Sequence, residues 1–465
     1  MQIHLLDGLD PVDAAARLAP LGHLTFLDSA RDGPLGRHAY VAADPFGVFS
    51  VRDARCFWDG QELDEAFVPA LKARLAAFRQ ERRAGLPPFQ GGAAGFLAYD
   101  LARVFERLPP PAAGAGAVPE AMLPFYDVVL AFDLAASRAF LVSTGWPEAD
   151  PALRERRATR RAEAFLEHLR KPPPPARDNP AISHGAWKAD FSRADYLAVV
   201  CRTIDYILAG DIFQACLAQR FEAPLPPGFD GWAFYRRLRT VNAAPFGAWL
   251  DYGEVKVASS SPERFLRLET GIVETRPIKG TAPRSPDPQE DAALAAALAA
   301  SEKDRAENLM IVDLLRNDLS RVCRPGSVRE PALCVLESYA SVHHLVSTVT
   351  GELEPGRDAV DLIAATFPGG SISGAPKIRA MEIIAELEQH ARGIFCGAIG
   401  YIGFSGDMDL NIAIRTVTLA GGKAVVQAGG GITMLSEPEA EYEETMVKAG
   451  RLFEAFAGAS TGGAA

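Results

Sequence analysis

The stretch RPIKGTAPR, residues 276–284, sets one lysine between Pro277-Ile278 and Gly280-Thr281. A stiff proline and a permissive glycine around a single amine suit a nucleophile held in place, provided that its pocket lowers its proton affinity. A solvated lysine at a strand end would read the same way. Two distant helical patterns carry acids where apolar residues belong. Asp304 and Glu307 share a face with Ile311, Leu314 and Leu315, and Glu441, Glu444 and Lys448 continue into Leu452. Carboxylates at the rim of a buried stripe need a cation. Mg²⁺ fits, because it takes few protein carboxylates and keeps places for water and substrate oxygens. By spacing alone, exposed faces with a Glu444–Lys448 pair account for the pattern better than a metal does.

FPGGSISGAPKIRAMEII (367–384) puts Gly369, Gly370, Ser371, Ser373, Gly374 and Lys377 at a strand-to-helix turn, where free N–H groups favour an anion. Its spacing is not that of a Walker loop. QAGGGITM (427–434) reads as a second glycine turn that lets backbone approach a ligand. Arg415 interrupts the apolar strand pattern LNIAIRTVTL. A charge there calls for a carboxylate, either of a ligand or of a buried structural pair.

The elements that must position these groups follow from patterning. Residues 1–168 form a mixed N-terminal region, with a helix over 68–78 and one strand over 123–133. A proline-rich linker spans 169–184, the next region runs over 185–456, and a flexible tail covers 457–465. In the longer region helices are predicted at 231–241, 287–300, 302–317, 358–366, 376–391 and 438–456. Strands are predicted at 212–225, 246–252, 255–258, 264–275, 332–353 and 395–434. Ser192 with Asp195, and Ser301 with Asp304, are helix-capping pairs. Long strands joined by hairpin-like turns favour an antiparallel α+β arrangement.

With 48% hydrophobic and 23% charged residues the chain is an ordinary globular one. A net charge of −11 without a basic block speaks against nucleic acid. Scattered cysteines, no leader pattern and no long apolar run lead to the expectation of a cytoplasmic protein with reduced thiols and no membrane segment.

In order along the chain, PIKGT, AENLMIVDLLRNDLSRV, SVHHLVST, FPGGSISGAPK, CGAIGYIGF, IAIRT and QAGGGI…SEPEAEYEETMVKA resemble the chorismate-utilising enzymes, over essentially all of 185–455. FQGGAAGFLAYD (89–100) is similar to the N-terminal region of anthranilate and aminodeoxychorismate synthase large subunits. The resemblance implies a two-lobed αβ sandwich of stacked, largely antiparallel sheets flanked by helices. It also sorts the chemistry. Members that add water carry a lysine base where this chain has Gln214, and glutamine takes no proton. Anthranilate synthases read PIAGT, whereas one type of aminodeoxychorismate synthase reads PIKGT.

The resemblance therefore implies an aminodeoxychorismate synthase large subunit, serving 4-aminobenzoate and folate synthesis. Lys279 would attack C2 of chorismate, and ammonia from a separate glutaminase subunit would then take C4. Glu263 would be the general acid. Glu307 and Glu441 would bind Mg²⁺, with Asp304 and Glu444 in support. Arg415, Lys448 and the N–H groups near Gly430 and Gly431 would hold the substrate carboxylates, with Ser371, His344 and Gln214 close by. His343 would be strand filler, and Phe395 stands where a tyrosine is frequent. LTFLDSA (24–30) stands at the place of a tryptophan-site motif that it matches poorly. The alternatives are an anthranilate synthase component and a non-catalytic chorismate-binding subunit.

Overall fold

A computed structural model describes all residues except 32, 34, 112–117, 176, 340–341 and 458–465. The expected flexible tail thus lies outside the described residues but for Ala457. Two 12-stranded sheets make up the architecture, flanked by helices. One sheet runs, across its width, through Gln2–Asp7, Arg138–Ser143, Val128–Asp133, His38–Ala42, Leu24–Asp28, Phe246–Asp251, Val255–Ser261, Thr416–Ala420, Lys423–Ile432, Gln214–Pro224 and Lys188–Ala189, with Gly374–Ala375 also on Gln214–Pro224. The other runs through Ile278–Pro283, Val342–Glu352, Ile272–Thr275, Arg264–Glu269, Met408–Ile412, Ala398–Gly403, Gly92–Leu97, Ala121–Tyr126, Gly47–Arg52, Arg55–Trp58 and Gln61–Leu63, with Arg329–Ser338 on Val342–Glu352. Their pairings are antiparallel, as the patterning predicts.

The proline-rich stretch 169–184 divides the sequence, yet both sheets draw strands from either side of it. The chain crosses between sheets repeatedly, and these crossings are where long predicted strands break. LPFYDVVLAFD is two strands, Ala121–Tyr126 and Val128–Asp133, in different sheets. Asp127 turns between them, fully buried, and is met by Arg161 Nη2 at 2.9 Å and Arg157 Nε at 3.3 Å from the helix Pro151–Arg170. A buried carboxylate held by two guanidiniums fixes the corner. The strands of 332–353 form a hairpin within one sheet, and those of 395–434 are four, two in each sheet.

Three helices position the functional groups. Glu302–Ser320 begins where the Ser301 side chain accepts the Asp304 N–H, and it packs on Ile278–Pro283 and Val342–Glu352. Pro438–Phe456 lies across Lys423–Ile432 and buries Ala449, Leu452 and Phe453 with Val426 and Ala428. Lys377–Leu387 packs on Gln214–Pro224. The six cysteines are free thiols, and among the described residues no helix is long and apolar enough to cross a membrane.

Candidate active site

Lys279 lies on the edge strand Ile278–Pro283, at a break in register with Val342–Glu352 between Ile278 and Thr281. The break frees Lys279 and Gly280 from the ladder. Gly280 takes φ +83°, and a Cβ on it would lie 3.0 Å from Asp304 Cβ, so glycine serves both the turn and the close helix. The Lys279 amine points inward: a Cβ built on Gly431 would lie 3.3 Å from Lys279 Nζ and 2.5 Å from Gln214 Nε2. Lys279 has no hydrogen-bonded side-chain partner among the described residues. Burial works to lower its proton affinity, but Cys216, Glu307, Glu263 and Glu444 outweigh it and leave it above the usual lysine range. The expected lowered value is therefore corrected: without substrate, surrounding carboxylates keep this amine an ammonium.

Glu263 sits where the chain passes from Val255–Ser261 in one sheet to Arg264–Glu269 in the other. Ile412 N–H donates to Glu263 O at 3.0 Å and pins the corner. The carboxyl is buried, and Ser371 Oγ donates to its Oε1 at 2.6 Å. Burial pushes Glu263 up to about 7, against the Ser371 bond, the Lys279 charge and the Ile278 N–H. Gln214, fully buried at the start of its strand, shares a face with Cys216 and Gly431. Its Oε1 has no partner among the described residues.

The acids of the two helices come within mutual electrostatic reach. Burial raises the proton affinity of Glu307, Lys279 and Lys303 lower it, and Asp304 and Glu441 raise it. Burial also raises that of Glu441, which accepts from Ser436 Oγ at 2.7 Å and feels Glu444. Glu444 is bound to Lys448; burial raises its proton affinity, but Lys448, Lys279 and Lys303 bring it below the ordinary range. Among the described residues no three acidic, histidine or cysteine side chains close into a cage. The donor set is oxygen only and sparse. That fits a hard cation completed by water and substrate, with half-buried Glu307 and buried Glu441 as the members without an ion-pair partner among the described residues.

Arg415 does not lie inside a strand, as the apolar pattern suggested. It occupies the crossing between Met408–Ile412 and Thr416–Ala420, with φ +51°. Its Nη1 donates to Lys448 O at 2.6 Å. Among the described residues it makes no ion pair; burial lowers its proton affinity, opposed by Glu444. The buried structural pair is thus absent and the charge is available for an anion. The glycines of 427–434 form a strand rather than a turn. Lys423–Ile432 pairs with Gln214–Pro224 over its whole length but with Thr416–Ala420 only as far as Val426. One edge of 427–432, beside Arg415, thus keeps alternate N–H groups without a strand partner. Gly430 and Gly431 face opposite sides. A Cβ on Gly430 would lie 3.0 Å from Glu441 Oε2 and 3.8 Å from Lys448 Nζ, so this strand is a thin wall between the lysine and the acidic helix. Lys448 Nζ donates to Gly429 O at 2.8 Å.

His344 pairs across the ladder with Thr281, whose hydroxyl meets its Nδ1 at 2.9 Å. Burial lowers it to about 4, so the ring is neutral near pH 7. His343 is more than filler: its ring bonds Ser338 at 2.8 Å and Asp291 at 3.1 Å. Lys377 lies outside the site, buried against Asp318 and donating to Thr366 O at 2.7 Å. Phe395 belongs to the hydrophobic core. Leu24–Ala30 borders a cavity of about 610 Å³ between the sheets, where Asp28 is occupied by Tyr235 Oη at 2.8 Å and Arg239 Nε at 2.8 Å. Sequence reasoning singled out Ser371 without its role and passed over Ser436 and Cys216. A lone serine or cysteine carries no spacing pattern that marks it.

An acid, two acidic helices, and an amine and an arginine without ion-pair partners among the described residues thus gather where two antiparallel sheets exchange strands. The family model of the chorismate binding enzyme matches residues 26–454, and the chain belongs to that family. It is 46% identical to aminodeoxychorismate synthase component 1 of Salmonella typhimurium over 95% of both chains. It is 41% identical to anthranilate synthase component 1 of Thermus thermophilus, over 98% of this chain and 97% of that one. The crystal structure of anthranilate synthase component I from Streptococcus pneumoniae superposes with a TM-score of 0.80 at 33% identity, over 91% of this chain and 93% of that one.

Proposed function

We propose that this chain aminates chorismate to 4-amino-4-deoxychorismate, using ammonia released by a separate glutaminase subunit, in the cytoplasm and on the route to 4-aminobenzoate. Relatives of both amination classes are similar to the chain. The observation that carries the reading is the inward, unpartnered amine of Lys279 beside Gln214 and Gly431. An amine there has no structural task and stands within the electrostatic reach of an acid, Glu263.

The two groups divide the proton work. Above about pH 7 the resting pair is a Lys279 ammonium and a Glu263 carboxylate. Passing one proton from Lys279 Nζ to Glu263 yields an amine and a carboxylic acid without changing the site's net charge. Lys279 then bonds C2 of chorismate as the ring π electrons shift and the C4–O bond breaks. Glu263 gives its proton to the departing hydroxyl, which leaves as water. Ammonia bonds C4, the electrons shift back, and Lys279 departs as a free amine while the product amine carries the added proton.

Arg415, Lys448 and the open N–H edge near Gly430 and Gly431 would hold the two substrate carboxylates. Ser371 keeps Glu263 oriented, His344 braces the Lys279 turn through Thr281, and Gln214 supplies an amide where a water-activating base is not wanted. Mg²⁺ held by Glu307 and Glu441, with Asp304 and Glu444 in support, would neutralise these acids and grip a substrate carboxylate. The test is to incubate the protein with chorismate, Mg²⁺ and ammonium and identify the product. Aminodeoxychorismate is expected, and Lys279→Ala should lose it. Anthranilate from the unmutated protein would move the chain to the other amination class. No turnover, even with a glutaminase supplied, would leave a binding subunit.

A further inference from the structure

Behind the site lies an ion pair for which the chemistry above has no use. Arg392 and Glu388 are only 3% and 7% exposed. Arg392 Nε and Nη2 reach the Glu388 carboxylate at 2.9 and 2.7 Å. Two further N–H groups go to backbone: Nη1 to Ile372 O at 3.0 Å and Nη2 to Cys216 O at 2.6 Å. Glu388 Oε1 also accepts the Ala218 N–H at 2.9 Å, and the guanidinium lies over the Tyr99 ring, 4.5 Å from its centre. Ile372 follows Ser371, and Cys216 stands two residues after Gln214. One fork of five donors therefore ties the turn carrying Glu263's partner to the strand carrying Gln214, which a lysine could not do.

A buried pair of this kind is weak as a source of stability, since apolar replacements often do as well. Its contacts indicate another role. Taking Glu263 as the acid of the proposed reaction, we infer that the Arg392–Glu388 pair is a positioning device that locks the Gly370–Ile372 turn onto the strand Gln214–Pro224 and so keeps Ser371 Oγ on Glu263. Among the described residues Glu263 is met by Ser371 from the turn, by Lys279 and the Ile278 N–H from the edge strand, and, further back, by Cys396, whose thiol burial holds neutral. The Ser371 bond lowers the proton affinity of Glu263. A turn that drifts away releases it upward.

The test compares Arg392→Gln, Ser371→Ala and the double variant for kcat, KM and the pH dependence of kcat/KM. Arg392→Gln should lose roughly 10- to 100-fold in kcat, the scale of a misplaced group, with KM little changed. Its acidic limb should move to higher pH as in Ser371→Ala, and the double variant should show no further movement. A limb left in place with only a lower Tm, or limb shifts that add in the double variant, would overturn the inference. Should Arg392→Gln not fold, Glu388→Leu/Arg392→Met removes both charges and keeps the volume; a wild-type limb and kcat in that protein would overturn the inference equally. The product of the unmutated protein is determined separately. Anthranilate would displace the functional reading, and the limb could still be read on that activity.

Discussion

Ser371 Oγ donates a 2.6 Å hydrogen bond to Glu263 Oε1 across 108 residues of sequence. The bond holds a carboxyl that burial drives the other way. Glu263 stands at about 7, against 4.5 for an ordinary glutamate, even with Ser371, Lys279 and Ile278 pulling it down. Desolvation is therefore the dominant effect at this position, and it has consequences for stability as well as for turnover.

Glu263→Gln should stabilise the protein above neutral pH. The folded state binds the Glu263 proton more tightly than the unfolded chain does. Below 4.5 both states are protonated and the residue costs nothing; the penalty grows between 4.5 and about 7 and is complete above. The shift corresponds to about 3 kcal/mol at most. Urea unfolding at pH 8 should show a gain of that order for Glu263→Gln, shrinking towards zero near pH 4.5, while activity is lost. A gain independent of pH would assign the effect to packing.

The pH profile of kcat/KM should rise through about 7 and hold at higher pH. In the free enzyme Glu263 titrates near 7 and Lys279 above the usual lysine range. The reactive amine and acid are a minor tautomer of the singly protonated pair, which forms only once Glu263 has given up its proton to solvent. A profile that fell through 7 would mean that Lys279 is already a neutral amine, contrary to the charges around it.

Local signals in the sequence carried the helices well. Gly231–Val241 and Pro438–Phe456 lie where periodicity put them, because Asp230 caps one and a proline opens the other. The candidate grouping of Lys279, Glu263, Glu307 and Glu441 was drawn from motifs in order rather than from any one spacing. What escaped was non-local. Nothing near Asp127 or Arg415 says that the chain changes sheets there, since both crossings depend on partners more than thirty residues away, Arg161 and Lys448. The glycines at 429–431 look like a turn because glycine permits one. They form a strand because a Cβ on Gly429 would lie 2.1 Å from Leu217 O and one on Gly431 would strike Gln214.

Arg415→Met should raise KM for chorismate without lowering Tm. Arg415 is an enclosed charge with no ion pair among the described residues, and burial already depresses its proton affinity. Removing it takes away a cost to the fold and a charge-assisted contact to substrate, worth about 1.5–3 kcal/mol. KM should therefore rise by roughly 10- to 100-fold, with a smaller change in kcat. A marked fall in Tm with KM unchanged would show Arg415 to be a structural tie to Lys448 O and nothing more.

Mg²⁺ alone should raise the Tm of the protein in the absence of chorismate. Burial raises the proton affinity of both acids, and Glu441 adds to that of Glu307. A cation between them relieves burial and repulsion together. Binding to the folded state alone stabilises by about 2.7 kcal/mol at a hundredfold excess over Kd, which thermal denaturation reads directly. In Glu307→Gln/Glu441→Gln the repulsion is gone beforehand, so the double variant should melt higher than the parent without metal and gain nothing from Mg²⁺. Equal Mg²⁺ responses in parent and variant would move the metal to other ligands, and no response in either would remove it from the site.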